Sequence, residues 1–199
     1  MKSPLIQIKN LHVSISTFLP EHLVASASYL EPDTFAPAAP ATPAGDALTP
    51  PAIGDYWAGQ GGIYGGLRHY PEGLCHIIFA SVDVGSHAYG EYGTSVEATS
   101  NIDGLANTAI LVNRDGSHPA AEAAYAYTCD GHSDFYLPSS GELHHGYLYL
   151  PESFEKDWYI SSTQRSALYA YFMDFEDGWL SATASTFERL ARPVRRILQ

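Results

Sequence analysis

The sequence predicts an α+β domain, with helices in its middle and antiparallel strands toward its C-terminus. Three observations carry this. Alternating runs such as Tyr169 to Asp174 have the period of two that a strand requires. The segments "SHPAAEAAYAYTC" and "SSGELHHGYLYL" instead pair helix-capping serines with an early proline or a glutamate, followed by good helix formers. Asp177-Gly178 then separates two strand-like runs, a hairpin signal because glycine accepts the positive φ such turns need.

Bulk composition permits a domain of this kind. The 199 residues can bury one sizeable core, and 45% hydrophobic with 16% charged residues excludes disorder as the global state. A formal charge of −12 argues against nucleic acid or an anionic membrane as partner, because phosphate contacts need concentrated Lys and Arg. No apolar run approaches the roughly 20 residues of a membrane-spanning helix. The N-terminal stretch lacks the apolar run and cleavage site of a signal peptide. Two cysteines, Cys75 and Cys129, make no disulfide framework and are expected to be reduced.

Taken in chain order, residues 1–30 contain an alternating strand over Leu5 to Ile15 and read as an attachment segment. Residues 31–53 are a Pro/Ala-rich linker, a composition that favours extended backbone over a packed core. The domain proper spans 54–199. Strands are expected around Ile63 to Arg68 and Cys75 to Ser81. The glycines of "GQGGIYGG" serve turns, since neither a P-loop Lys-Ser/Thr nor a helical pattern follows them. Residues 85–116, rich in Gly, Ser, Asn and Asp, read as a loop-rich insertion. Two helices follow, one capped by Ser117 and one by Ser139 or Ser140. The closing "RLARPVRRILQ" reads as a strand with paired arginines.

Chemistry-bearing clusters are sparse. "DGHSD" and "LHHG" could suggest a metal and "DFEDG" calcium. Neighbouring His144 and His145 point about 100° apart on a helix, however, and no ligand set is complete. No Gly-x-Ser-x-Gly elbow, Cys-His pair or carboxylate pair stands out. Neither a metal, a cofactor nor catalysis is expected. Within the aromatic stretch, alternation sends Tyr171, Met173 and Phe175 to one face and Phe172, Asp174 and Glu176 to the other.

Four blocks occur in a fixed order: "YWAGQGGIYGGLR", "AAEAAYAYTCDGHSDFYLPSSGEL", "WYISSTQRSALYAYFMDFEDG" and "RLARPVRRI". This order resembles the Lcl C-terminal-domain family of phage proteins and bacterial adhesins, itself similar to formylglycine-generating enzymes and retroelement-diversified variable proteins. The resemblance implies a C-type-lectin-like domain with two helices and a C-terminal antiparallel sheet. It implies that the Tyr171 face is core and the opposite face binds ligand. That ligand-binding surface comprises Gln164, Arg165, Ser166, Leu168, Phe172, Asp174, Glu176, Trp179, Ser181 and Thr183. The alternative is that these aromatics pack beneath the insertion. The function so implied is a non-enzymatic, virion-associated phage tail or receptor-binding module. It would be made in the host cytoplasm, form a homo-oligomer, contact other virion proteins, and bind a protein or glycan receptor on the host surface. A structural decoration or tail-tip protein, using the same surface as a subunit interface, is the second reading.

Overall fold

The computed structural model describes residues 49–199, all within one compact unit. The expected strand at Leu5 to Ile15 and most of the Pro/Ala-rich linker lie outside the described residues. The chain forms β1 (Tyr56–Trp57), β2 (Gly62–Tyr70), β3 (Gly73–Phe79) and β4 (Ser86–His87), then α1 (Gly104–Val112), α2 (Pro119–Ala126) and α3 (Ser140–Tyr149). It closes with β5 (Trp158–Ser166), β6 (Tyr169–Asp174), β7 (Leu180–Ala184), β8 (Arg189–Leu190) and β9 (Val194–Leu198). One sheet has the order β1-β2-β3-β9 and the other β4-β8-β5-β6-β7. All pairings are antiparallel except β5 with β8, so the domain is mixed α+β as the sequence predicts.

The closing segment is not one strand. Pro193 has no N–H to donate to a ladder, and the chain crosses there from one sheet to the other, leaving β8 beside β5 and β9 beside β3. Three of its four arginines are paired: Arg192 with Asp83, Arg195 with Asp134, and Arg196 with Glu72 and Asp103, whereas Arg189 donates to the Glu188 carbonyl and lies over the Phe172 and Phe187 rings.

Both faces of the five-stranded sheet are covered. On one, Ile160, Ala170 and Phe172 pack with Leu111 of α1, the alanines of α2, and Tyr89, Val96 and Ala98. On the other, Tyr159, Met173 and Phe175 pack with Leu143 of α3, Ile77 and Phe79 of β3, Phe154 and Val194. Each large side chain so buried contributes about 1.5–3 kcal/mol.

Residues 85–116 are largely irregular outside two short elements, yet they do not stand apart from the core. They carry β4 and α1 and supply Tyr89, Val96, Ala98 and Leu111 to the core. The domain has three helices rather than two. The sequence pattern hides α1 because buried Asn107 and Thr108 occupy its core face. Asn107 bonds Ser100 and Ser162, and Thr108 bonds Leu137, so polar residues stand where a helical stripe needs apolar ones. The cap of α2 also differs from expectation. His118, not Ser117, is its N-cap, and Glu122 accepts the His118 N–H at 2.8 Å. The start of α3 matches: Ser139 caps it in a capping box with Glu142.

Candidate functional site

The hairpin β6–β7 is built as the alternation predicts. Phe172 lies opposite Ser181 and Ala170 opposite Thr183, so these share a face, while Tyr171 and Met173 lie opposite Ala182 and Leu180 on the other. Exposure follows a different rule. Phe172 is only 1% exposed, beneath α1 and α2, with Trp158 against its edge and the Arg189 guanidinium 5.8 Å above its ring. Gln164 is 4% exposed. Its Oε1 accepts the Val96 N–H and its Nε2 donates to Thr94 O, so its amide staples the 94–96 backbone like one more strand position. Neither residue is available to a ligand, a correction to the surface the sequence implies. The physical reason is that α1 and the 89–98 segment occupy the face that would otherwise be open.

Of the other predicted residues, Arg165, Ser166, Glu176 and Trp179 are exposed, Trp179 to 69%, while Leu168, Asp174, Ser181 and Thr183 are half-buried. Local bonds hold the turn rigid: Asp174 accepts the Glu176 N–H and Asp177 the Trp179 N–H. Acidic groups suggestive of calcium are thus engaged in shaping the hairpin. The "DGHSD" segment is engaged likewise. Asp130, at φ 49°, accepts Tyr56 Oη–H and the N–H groups of Gly59 and Gly61, and Asp134 receives the Arg195 guanidinium. The bond from Tyr56 and the two backbone N–H groups hold the Asp130 carboxyl below its usual range. Among the described residues, no cluster of three His, Cys, Asp or Glu side chains is placed to hold a metal. No helix among them is long and apolar enough to cross a membrane.

The face expected to be all core opens instead into a cleft. A cavity of about 490 Å³ is lined by Arg68, Asn101, Ile102, Ser140, Gly141, His144, Tyr171 and Leu180. Three elements place these groups. Arg68 projects from β2, Ser140 and His144 lie one helical turn apart on α3, and Tyr171 and Leu180 come from β6 and β7. Gly141 lets helix and loop close up behind them: a Cβ there would overlap Asn101 O and stand 2.9 Å from Arg68 Nη2.

Beneath the cleft, fully buried Glu142 fixes the start of α3. Its Oε1 accepts both Tyr70 and Tyr136 hydroxyls at 2.8 Å. Its Oε2 accepts Gly104 N–H, Ser139 N–H and Ser139 Oγ–H at 2.9, 2.7 and 2.8 Å. Burial, reinforced by this carboxylate, pushes both phenols well above their ordinary range. Arg196 lies 4.1 Å over the Tyr70 ring and bonds Asp103 at 2.9 Å. Burial alone would raise Asp103, but Arg196 and the amides of α1 outweigh it and hold the carboxyl low.

Alternation assigns Tyr171 to the core, His144 is marked in the sequence only as a possible metal ligand beside His145, and neither Arg68 nor Asn101 carries a local signal. Nothing in local sequence marks three separated segments as neighbours. No protein-family model and no curated protein matches the chain, so the family resemblance stands on its four sequence blocks alone.

Proposed function

We propose that this chain is a non-enzymatic binding module of a phage virion, a tail or receptor-binding component that recognises a host-surface ligand with its C-terminal hairpin. The observation that carries the reading is Trp179, a large aromatic held 69% exposed at a turn clamped by Asp174 and Asp177. A rigid exposed aromatic beside polar Arg165, Ser166 and Glu176 offers contact area at low entropic cost. The four ordered sequence blocks supply the phage context and the C-type-lectin-like assignment, and the mixed α+β architecture is compatible with both. Trp179→Ala should leave the urea midpoint unchanged and reduce adsorption of virions to host cells. Normal adsorption with the variant incorporated removes this reading.

A second reading has its own observation. Among the described residues β7 is the edge of its sheet, and Leu180 at its start is 40% exposed. Such an edge suits a subunit interface, as in a decoration or tail-tip protein. Failure of Trp179→Ala or Leu180→Lys chains to enter particles would favour it.

A further inference from the structure

We infer that the cleft between α3 and the β6–β7 hairpin is a binding site for a monocarboxylate with an apolar body, the chemistry of a free organic acid or of a peptide's C-terminal apolar residue. It lies on the opposite face of the hairpin from Phe172, Ser181 and Thr183, so it goes beyond the host-recognition reading and does not depend on Trp179.

Charge is the first argument. The sequence carries a formal charge of −12, yet none of the eight residues lining the cleft is acidic. Arg68 is half-buried at its wall, and its guanidinium has no hydrogen bond or ion pair with any described residue; its Nε is sealed from solvent without an acceptor. The contrast with Arg192, Arg195 and Arg196, each on a carboxylate, is direct. An unneutralised guanidinium in a partly desolvated cleft attracts a carboxylate and binds it through paired N–H groups.

Donors and shape narrow the class. Asn101 Oδ1 accepts the Ser140 hydroxyl at 3.0 Å, which fixes the amide and leaves its NH2 without an acceptor among the described residues. The Tyr171 ring, Ile102 and Leu180 form the remaining wall, and the latter two are exposed to 54% and 40%. An apolar body laid on them removes surface that now faces water. About 490 Å³ lies in the range of sites that enclose small ligands. A polyanion is disfavoured, since the cleft offers a single guanidinium.

The test titrates the full chain by amide NMR with N-acetyl-leucine, its neutral analogue N-acetyl-leucinamide, acetate, and a blocked tripeptide ending in Leu with a free carboxylate. N-acetyl-leucine should bind with Kd of about a millimolar, the range ligand-efficiency bounds give an acid of this size, and shift resonances of Tyr171 and His144. The amide and acetate should each bind about 10-fold or more weakly. Arg68→Met should remove the preference for acid over amide, and Arg68→Lys should restore part of it. Leu180→Glu, at the exposed rim, should weaken the acid about 10-fold without touching the core. Tighter binding of the tripeptide points to a chain terminus, and equal or weaker binding to a free acid. Equal binding of acid and amide, an Arg68→Met chain with wild-type preference, or no acid binding at ten times the expected Kd overturns the inference. Each of those outcomes leaves the Trp179 adsorption result to stand or fall separately.

Discussion

Glu142 is fully buried, and Glu142→Gln isolates its charge from its size. Five donors converge on the carboxylate, two on Oε1 and three on Oε2. An amide offers one acceptor oxygen and brings two N–H groups of its own. With its oxygen toward Gly104 and Ser139, the NH2 faces the Tyr70 and Tyr136 hydroxyls, which must turn their protons into an apolar interior. With the amide flipped, the buried N–H groups of Gly104 and Ser139 lose their acceptor. Either way about two charge-assisted bonds, worth about 1.5–3 kcal/mol each, are lost or replaced by weaker neutral ones. Relief of carboxylate desolvation offsets part of this. The expected cost is about 2–4 kcal/mol, read as a lowered urea midpoint at unchanged slope. Glu142→Ala should cost more, because both backbone N–H groups are orphaned and a cap is lost. Against a typical stability of about 5–15 kcal/mol, it should sit near the edge of folding at room temperature. A Glu142→Gln chain within about 0.5 kcal/mol of wild type would refute the reasoning, since that is the scatter of a surface substitution.

Phe172→Ala should cost about 3–5 kcal/mol through the cavity left under α1 and α2, whereas a solvent-facing Phe172 would cost almost nothing in the same denaturation experiment. Burial holds the imidazoles of His76 and His145 below their ordinary pKa. The unfolded chain therefore takes up protons that the folded one refuses. Their contribution is complete above about pH 6.5 and declines as pH falls below it. The urea midpoint should drop between about pH 7.5 and 5.5, and His145→Gln, which can still donate to Gly65 O, should flatten part of that slope. A midpoint that rises on acidification contradicts this. The low carboxyls of Asp103 and Asp134 act in a separate window: stability they supply is present above the ordinary aspartate pKa of about 4 and lost as pH falls through their folded values. Arg196→Met should shrink the Asp103 part of that acid limb, since only the α1 amides then remain on the carboxylate, and leave the neutral-pH slope unchanged.

What could be read from local sequence was what local physics decides. Ser139 and Glu142 announce the start of α3 because a cap is made by residues three apart. Asp177-Gly178 announces the hairpin because Gly178 sits at φ 81°, where a Cβ is strained. Period-two alternation sorted β6 into its two faces for the same reason. Which face meets water is not a local property. Phe172 and Gln164 read as outward residues, and only the folding back of α1 and residues 89–98, some 70 positions earlier, covers them. Helix α1 has no apolar stripe in the sequence because Asn107 and Thr108 hold their buried places through bonds to Ser100, Ser162 and Leu137 that exist only after the chain has closed. The cleft is the converse case. Arg68, His144 and Tyr171 are ordinary residues in their own segments, and it is the approach of β2, α3 and β6, permitted by the missing side chain at Gly141, that leaves one guanidinium facing a cavity without a counter-charge. Sequence by itself thus determined the α3 start, the β6–β7 turn and the two faces of β6, whose causes lie within a few residues. Tertiary structure alone decided burial and the cleft, whose causes lie in contacts between distant segments.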